Sequence, residues 1–323
     1  MGKRVLVTGA TGFVGANLVR RALTDGHEVH LILRAGHQSW RVREIAHLVH
    51  VHEADLTHRD AVHAVVTGVR PDWVFHLAAY GAYSSQTGMR QMIETNLLGC
   101  VLLLDECAEA GVASFVNAGS SSEYGYKDHA PGEQELLEPN SHYAVTKAAA
   151  SHYGQFTARD RDINAVTVRL WSIYGPFEEP TRLIPTLLVH ALHGRLPPLV
   201  SPGTARDFVF VEDAVDALLR VAAAPALPRG SLYNLCSGTQ TTLHHLIATT
   251  RRLTNLDAEP TWGTMPSRAW DTDVWVGSPT KMAQEVGWRA QTGLSAGLER
   301  TVRWLQDEPT WLRFYAQRVF KGR

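Results

Sequence analysis

Apolar positions along the first half of the chain alternate between short unbroken runs and longer stretches with a helical repeat. Val5–Val7 reads as a strand, the 16–23 stretch as a helix with one apolar face that Gly26 ends, and Val29–Leu33 as a second strand. The alternation goes on through a strand at 49–51 leading to Asp55, a helix at 60–69, a strand at 73–75, a long helix at 89–110, a strand at 114–117, a second long helix at 142–160 and a strand at 165–168. Strands alternating with helices predict a parallel sheet covered on both faces, a doubly wound α/β architecture. Past Arg169 the texture changes. Pro176, Pro180, Pro185, Pro197, Pro198 and Pro202 predict loops and short helices, before the 206–213 segment leads into a helix at 214–224 and a further strand at 232–236. The remainder, with Trp262, Trp270, Trp275 and Trp288, reads as a smaller mixed α/β lobe. The expected organisation is a dinucleotide-binding domain at 1–170 to which 207–236 returns, and a substrate lobe made mainly of 171–323.

Two local patterns carry chemistry. Gly9, Gly12 and Gly15 lie between the first strand and the first helix, with Phe13 and Val14 beside them. Glycines there let the backbone approach a pyrophosphate at a helix N-terminus, where free N–H groups point outward, so the opening implies a Rossmann-type dinucleotide site. Tyr143 and Lys147 stand four apart on the second long helix and share a face. An ammonium there favours phenolate, so the tyrosine is expected to exchange protons with a hydroxyl or ketone near neutral pH. Together they point to hydride chemistry at a carbon bearing oxygen.

Composition narrows the partners. The 323 residues are 45% hydrophobic and 20% charged with a formal net charge of −1, so no broad electrostatic footprint for nucleic acid or an anionic membrane is present. No apolar run approaches the roughly 20 residues that span a bilayer, and the N-terminal run turns glycine-rich after Val7, as a strand entering a loop rather than a signal peptide. Cys100, Cys107 and Cys236 form neither a CxxC pair nor an even framework, which reads as reduced thiols in a cytoplasmic protein. The sixteen histidines are scattered without an HExxH, and no metal site is expected.

TGATGFVG, HLAA, the serine-rich strand end with Tyr124-Gly125, YAVTK, the 169–176 segment and Arg206-Asp-Phe occur in order over nearly the whole chain. In this the chain resembles the extended short-chain dehydrogenase/reductase family acting on nucleotide-diphosphate sugars, whose epimerases, dehydratases, decarboxylases and ketoreductases share these motifs. The segments 119–125, 233–238 and 277–281 are similar to the GDP-6-deoxy-4-keto-mannose reductase group.

The resemblance implies catalysis by Ser120, Tyr143 and Lys147, with Ser120 bonding the sugar O4 and Lys147 also holding the nicotinamide ribose. It implies cofactor contacts by Thr11 in the glycine loop, by Leu77, Ala78 and Ala79 of HLAA, by the Asp55-Leu56 pair beside the adenine, and by Asn96. Asp55 is alternatively a helix N-cap, and Asn96 a plain polar helix residue. The second strand ends in Leu33-Arg34, not in an acid. An arginine there pairs with a 2′-phosphate, which favours NADP; the alternative is a surface arginine with NAD bound. Ser121 and Ser122 occupy the positions where 4,6-dehydratases carry an acid pair, and Glu123 stands one position late. Ser84 and Ser85 follow HLAA and are candidates to touch the sugar, as are Ser121, Ser122 and Ser172. Arg206 and Arg268 are candidates for the diphosphate.

Four readings remain open: a 4-ketoreductase drawing on NADPH, favoured through Arg34; a 4-epimerase using the same residues; and, less favoured, a 4,6-dehydratase should Glu123 reach the sugar, or a cofactor-binding protein without catalysis. The family also implies a homodimer built on the helices 89–110 and 142–160, through Leu97, Val101 and Leu104 on one and Ala144, Ala148 and Phe156 on the other.

Overall fold

A computed structural model describes residues 2–37, 40–83, 85–224, 227–266 and 272–321. The first unit is β1 (Arg4–Thr8), α1 (Phe13–Thr24) and β2 (Glu28–Leu33), followed by β3 (His50–Glu53), α2 (Arg59–Val69) and β4 (Trp73–His76). The long helix begins as α3 (Met89–Met92), loosens into a π-helical stretch at Ile93–Leu98, and continues as α4 (Gly99–Glu109). Then come β5 (Ser114–Ser120), α5 (His142–Asp160), β6 (Ala165–Leu170), β7 (Ser172–Tyr174), α6 (Leu183–Leu192), β8 (Ala205–Phe210), α7 (Val211–Ala223), β9 (Leu232–Leu235), β10 (Gln240–Thr242), α8 (Leu243–Thr254), α9 (Leu294–Asp307) and α10 (Pro309–Lys321).

The main sheet has seven strands in the order β3-β2-β1-β4-β5-β6-β9, all pairs parallel. A parallel strand is buried on both faces, which is why β1 and β2 are unbroken apolar runs. Successive side chains point to opposite faces. Val5 and Val7 accordingly join one core with Leu18 and Val19 of α1 and Ala214, Val215 and Leu218 of α7. Leu6 joins the other, with Val62 and Val66 of α2 and Leu103 and Leu104 of α4. A second sheet of three strands, β10-β8-β7, anchors a lobe whose core gathers Leu187 and Leu188 of α6, Leu246 of α8, Leu298 of α9 and Tyr315 of α10.

The differences from the sequence reading have physical causes. The 89–110 helix is not regular: it carries a π-helical stretch, within which the Asn96 side chain clamps the backbone of Tyr80. The helix expected from 214 starts at Val211, with Glu212 and Asp213 in its first turn, where acids suit the helix dipole. Pro185 sits inside the first turn of α6, where its missing N–H costs no helical hydrogen bond. Among the described residues no helix is long and apolar enough to cross a membrane, and Cys100, Cys107 and Cys236 are buried free thiols.

Candidate active site

The sequence motifs converge past the carboxyl ends of the central strands, where doubly wound sheets bind ligands. Gly9 has φ of 70°, and a Cβ on it would stand 2.4 Å from the Leu77 carbonyl carbon. A Cβ on Gly15 would lie 2.3 Å from the Gly9 oxygen. Both glycines are therefore demanded by the turn itself. Gly12 caps α1 with extended backbone and no side-chain cap, so the N–H groups of Phe13, Val14 and Gly15 face outward without a capping oxygen. That opening fits a dinucleotide pyrophosphate. The Thr11 carbonyl accepts from Arg41 at 3.2 Å, and the same guanidinium reaches the Phe177 carbonyl at 2.7 Å and the Glu179 carboxylate at 2.9 Å.

The rest of the expected cofactor track lies in line with this loop. Arg34 is exposed one residue beyond β2. Asp55 sits beside it: burial pushes its carboxyl up, but two hydrogen bonds from Thr57 and the Arg34 charge hold it below the ordinary value. Asp55 does not cap α2, whose N-cap is His58; its carboxylate instead closes the Thr57 turn at 2.9 Å and 2.7 Å. Leu56 is buried in the core beneath. Leu77, Ala78 and Ala79 follow β4 directly, and the Ala78 N–H donates to Thr8 Oγ1. Asn96 is buried with its amide spent on the Tyr80 backbone and on Thr146 Oγ1, so it fastens the loop after β4 to α5.

Ser120 ends β5 and Tyr143 lies in the first turn of α5, and their side chains are hydrogen-bonded. The Tyr143 phenol is pushed up to about 12, chiefly by burial, with the Ser120 bond pulling it back. Among the leading influences on this phenol the cation that lowers it is Arg182, with Lys147 not among them. Lys147 is 2% exposed, and burial lowers its own pKa. The neutral phenol is thus the favoured form near neutral pH.

Glu123 is turned away from this face. It is 0% exposed; Oε1 accepts from the Ser120 N–H at 2.8 Å, and Oε2 accepts from Ser151 at 2.9 Å and from Arg169 Nε at 2.8 Å. Arg169 also donates to the Tyr124 hydroxyl at 2.7 Å, which donates to Asn234 at 2.8 Å. Gly119 leaves room for this tuck, since a Cβ there would stand 2.8 Å from Glu123 Oε1. Ser121 is buried and Ser122 half-buried, the latter bonded to Ser120 Oγ at 2.7 Å.

The substrate side is less closely gathered. Ser172 is half-buried on β7, and Arg206 on β8 lies over the Trp275 ring at 5.7 Å. Ser85 is exposed in the loop after β4; Ser84 and Arg268 lie outside the described residues. Sequence reading missed Arg182, whose charge lowers the Tyr143 pKa, and Tyr83, a second phenol close enough to influence it. Arg182 directly precedes α6 in the proline-rich segment, and its guanidinium lies over the Tyr83 ring at 5.9 Å. No local motif marks either residue.

Residues 5–236 match the profile of the NAD dependent epimerase/dehydratase family, a span that takes in the glycine loop, Ser120, Tyr143 and Lys147. The chain belongs to this family. Among its relatives is the UDP-glucose 4-epimerase of Mycolicibacterium smegmatis, 28% identical over 322 residues, covering 94% of this chain and 99% of the relative. The dTDP-glucose 4,6-dehydratase of Escherichia coli is 26% identical over 356 residues, covering 99% and 97%. The solved UDP-glucose 4-epimerase of Thermus thermophilus, in complex with NAD, superposes with a TM-score of 0.80 at 27% identity, covering 96% of this chain and 99% of that one. Family membership agrees with the resemblance in the motifs and with a nicotinamide dinucleotide as cofactor.

Proposed function

We propose that this chain is a nucleotide-diphosphate sugar 4-epimerase. When bound, the nicotinamide dinucleotide supplies the hydride acceptor and donor at C4. Ser120 and Tyr143 hold the O4 oxygen; Tyr143 takes the O4 proton as the phenolate, its own proton having first left to solvent, and returns it as the phenol. Lys147 holds the cofactor ribose beneath. The observation that carries this reading is the fate of Glu123. A 4,6-dehydratase needs an acid and a base at C5–C6, yet serines stand at those positions and the adjacent carboxylate is spent on Arg169. C4 chemistry is what the site retains, and epimerase relatives support it. Incubation with a panel of UDP-, dTDP- and GDP-sugars tests it. The expected product has unchanged mass and altered C4 stereochemistry, with no net consumption of cofactor. Loss of water in the product would refute the reading.

Net reduction of a 4-keto sugar, which the sequence favours, stays as a second reading, carried by exposed Arg34 beyond β2. It predicts stoichiometric oxidation of NADPH and a product heavier by a hydrogen pair. Arg34 makes a separate prediction. A charge-assisted bond to a 2′-phosphate is worth about 1.5–3 kcal/mol, so NADP should bind roughly 10- to 100-fold more tightly than NAD, and Arg34→Asp should reverse the order. Equal affinities in the wild-type protein would assign Arg34 to the surface and leave NAD as the cofactor.

We also propose that the chain pairs with a second copy through α3–α4 and α5. The residues that would meet agree only in part with those the sequence suggests, Phe156 among them. Leu104, Ala144 and Ala148 are buried within the subunit, whereas Met89, Ile93, Leu98, Val145 and Phe156 are exposed, Phe156 at 62%. Such a patch on two helices suits an isologous interface. Light scattering at micromolar concentration should give a dimer mass, and Val145→Lys with Phe156→Lys should give a monomer. A monomeric wild type would sink the proposal.

A further inference from the structure

We propose that Glu28, His30 and His50 form a binding site for a divalent transition-metal ion of the zinc class, on the outer edge of the main sheet and apart from the sugar chemistry. β3 is the edge strand and pairs in parallel with β2, with His30 opposite His50 and Ile32 opposite His52. Residues two apart on a strand share a face, so Glu28 and His30 of β2 and His50 and His52 of β3 stand together on one side.

The spacing suits a small cation. His30 Nε2 lies 3.0 Å from Glu28 Oε1, and His50 Nε2 lies 3.8 Å from the same oxygen. One donor atom from each of the three residues falls within 4.8 Å of the other two. A tetrahedral ion with bonds of 2.0–2.1 Å needs donors about 3.3 Å apart, so movements of under about an ångström in exposed side chains close the set. Glu28 and His50 have that freedom, with side chains 51% and 63% exposed. Their exposure also leaves water to fill the fourth position. Two imidazoles and one carboxylate suit zinc, nickel or copper; magnesium and calcium prefer oxygen throughout.

His30 is the fixed member. It is buried, its ring is stacked 4.7 Å from that of His50, and its Nδ1 lies 3.0 Å from His52 Nε2. A metal-bound imidazole is normally oriented by a hydrogen bond from its other nitrogen, and His52 stands where that partner belongs. With the ion absent, the proton shared with Glu28 resides on His30 Nε2, and Nδ1 accepts from His52. On binding, the ion takes the Nε2 lone pair and the His30 proton moves to Nδ1, which then donates to His52; the His52 proton moves to its own Nδ1. No net proton is lost in this exchange. The nearest cation on the adjoining strand, Arg4, is turned to the Val69 carbonyl at 2.9 Å.

Glu28 opens β2, at the end of the sheet opposite the glycine loop. The ion would therefore take no part in turnover. It would tie the edge strand to its neighbour.

The experiment uses tag-free, chelator-stripped protein titrated with Zn²⁺ in a calorimeter and with Co²⁺ in a visible spectrometer. The expected result is one ion per chain, a Co²⁺ absorption band of tetrahedral intensity, and a melting temperature that rises with Zn²⁺. Glu28→Gln and His50→Ala, both at exposed positions, should each weaken Zn²⁺ by more than the roughly 10- to 100-fold typical of losing an outer partner. Circular dichroism of the stripped variants should match wild type. The proposal is overturned if the wild type takes up no Zn²⁺ at micromolar concentration, or if the double variant binds it unchanged.

Discussion

Tyr143→Phe is expected to lower turnover by at least about 10²- to 10⁴-fold while cofactor affinity stays near the wild-type value. The substitution removes one hydroxyl from a half-buried ring and leaves α5 and its Ser141 cap untouched. What disappears is the group proposed to carry the O4 proton. Lys147→Ala should behave differently. It removes a buried ammonium that we propose also holds the cofactor ribose, so rate and cofactor affinity should fall together. The two variants thus separate proton transfer from cofactor grip. A pH profile adds a check. Because burial raises the Tyr143 phenol to about 12, the limb for proton donation should extend well into the alkaline range in the absence of further cationic charge. A Tyr143→Phe enzyme that kept more than about a tenth of wild-type rate on its true substrate would remove Tyr143 from the role of proton carrier.

Glu123→Ala is expected to destabilise the fold by about 3–5 kcal/mol, the usual cost of leaving a buried charge without its partner. The stranded group is Arg169, 1% exposed, and the Ser120 N–H and Ser151 hydroxyl lose an acceptor with it. Since the Ser120 N–H is anchored by Glu123, turnover should drop as well, through a displaced Ser120 rather than a missing acid. Glu123→Gln keeps the shape and most hydrogen bonds, and should retain more of both stability and rate. Urea midpoints and initial rates of the two variants decide the matter. A Gln variant of normal stability that had lost all turnover would mean that Glu123 handles protons after all. An Ala variant within about 1 kcal/mol of wild type would mean that the Arg169 pair contributes little.

What could be read from the sequence was what repeats locally. The βαβ opening, the bounds of α5 and the YxxxK pair follow from apolar period and from residues four apart, and the glycine loop follows from its spacing together with the strand before it and the helix after it. Features that depend on partners distant in the chain stayed hidden. Glu123 could be placed only approximately, because its direction is set by Arg169 on β6 and by the space that Gly119 leaves. Asn96 was recognised by likeness, but its clamp on Tyr80 needs the loop after β4 to fold back. Tyr83 and Arg182 are separated in the chain by α4, β5, α5 and β6 and meet only in three dimensions. The four side chains at the β2–β3 edge are unremarkable until strand register sets them side by side.

The place of β9 bears on how the molecule is made. It is the outermost partner of β6, and Tyr233 and Leu235 contribute to the same core as β1 and α1. During synthesis, a nascent chain that has just emitted β6 presents a naked strand edge and an unfilled apolar face until the lobe between them has emerged. Parallel pairing across so long a loop is slow to form. An unpaired apolar edge is a template for joining other chains. Expression of a fragment ending at residue 170 should therefore yield aggregates, and chaperone demand should peak late in translation, when β9 and α7 have yet to leave the ribosome.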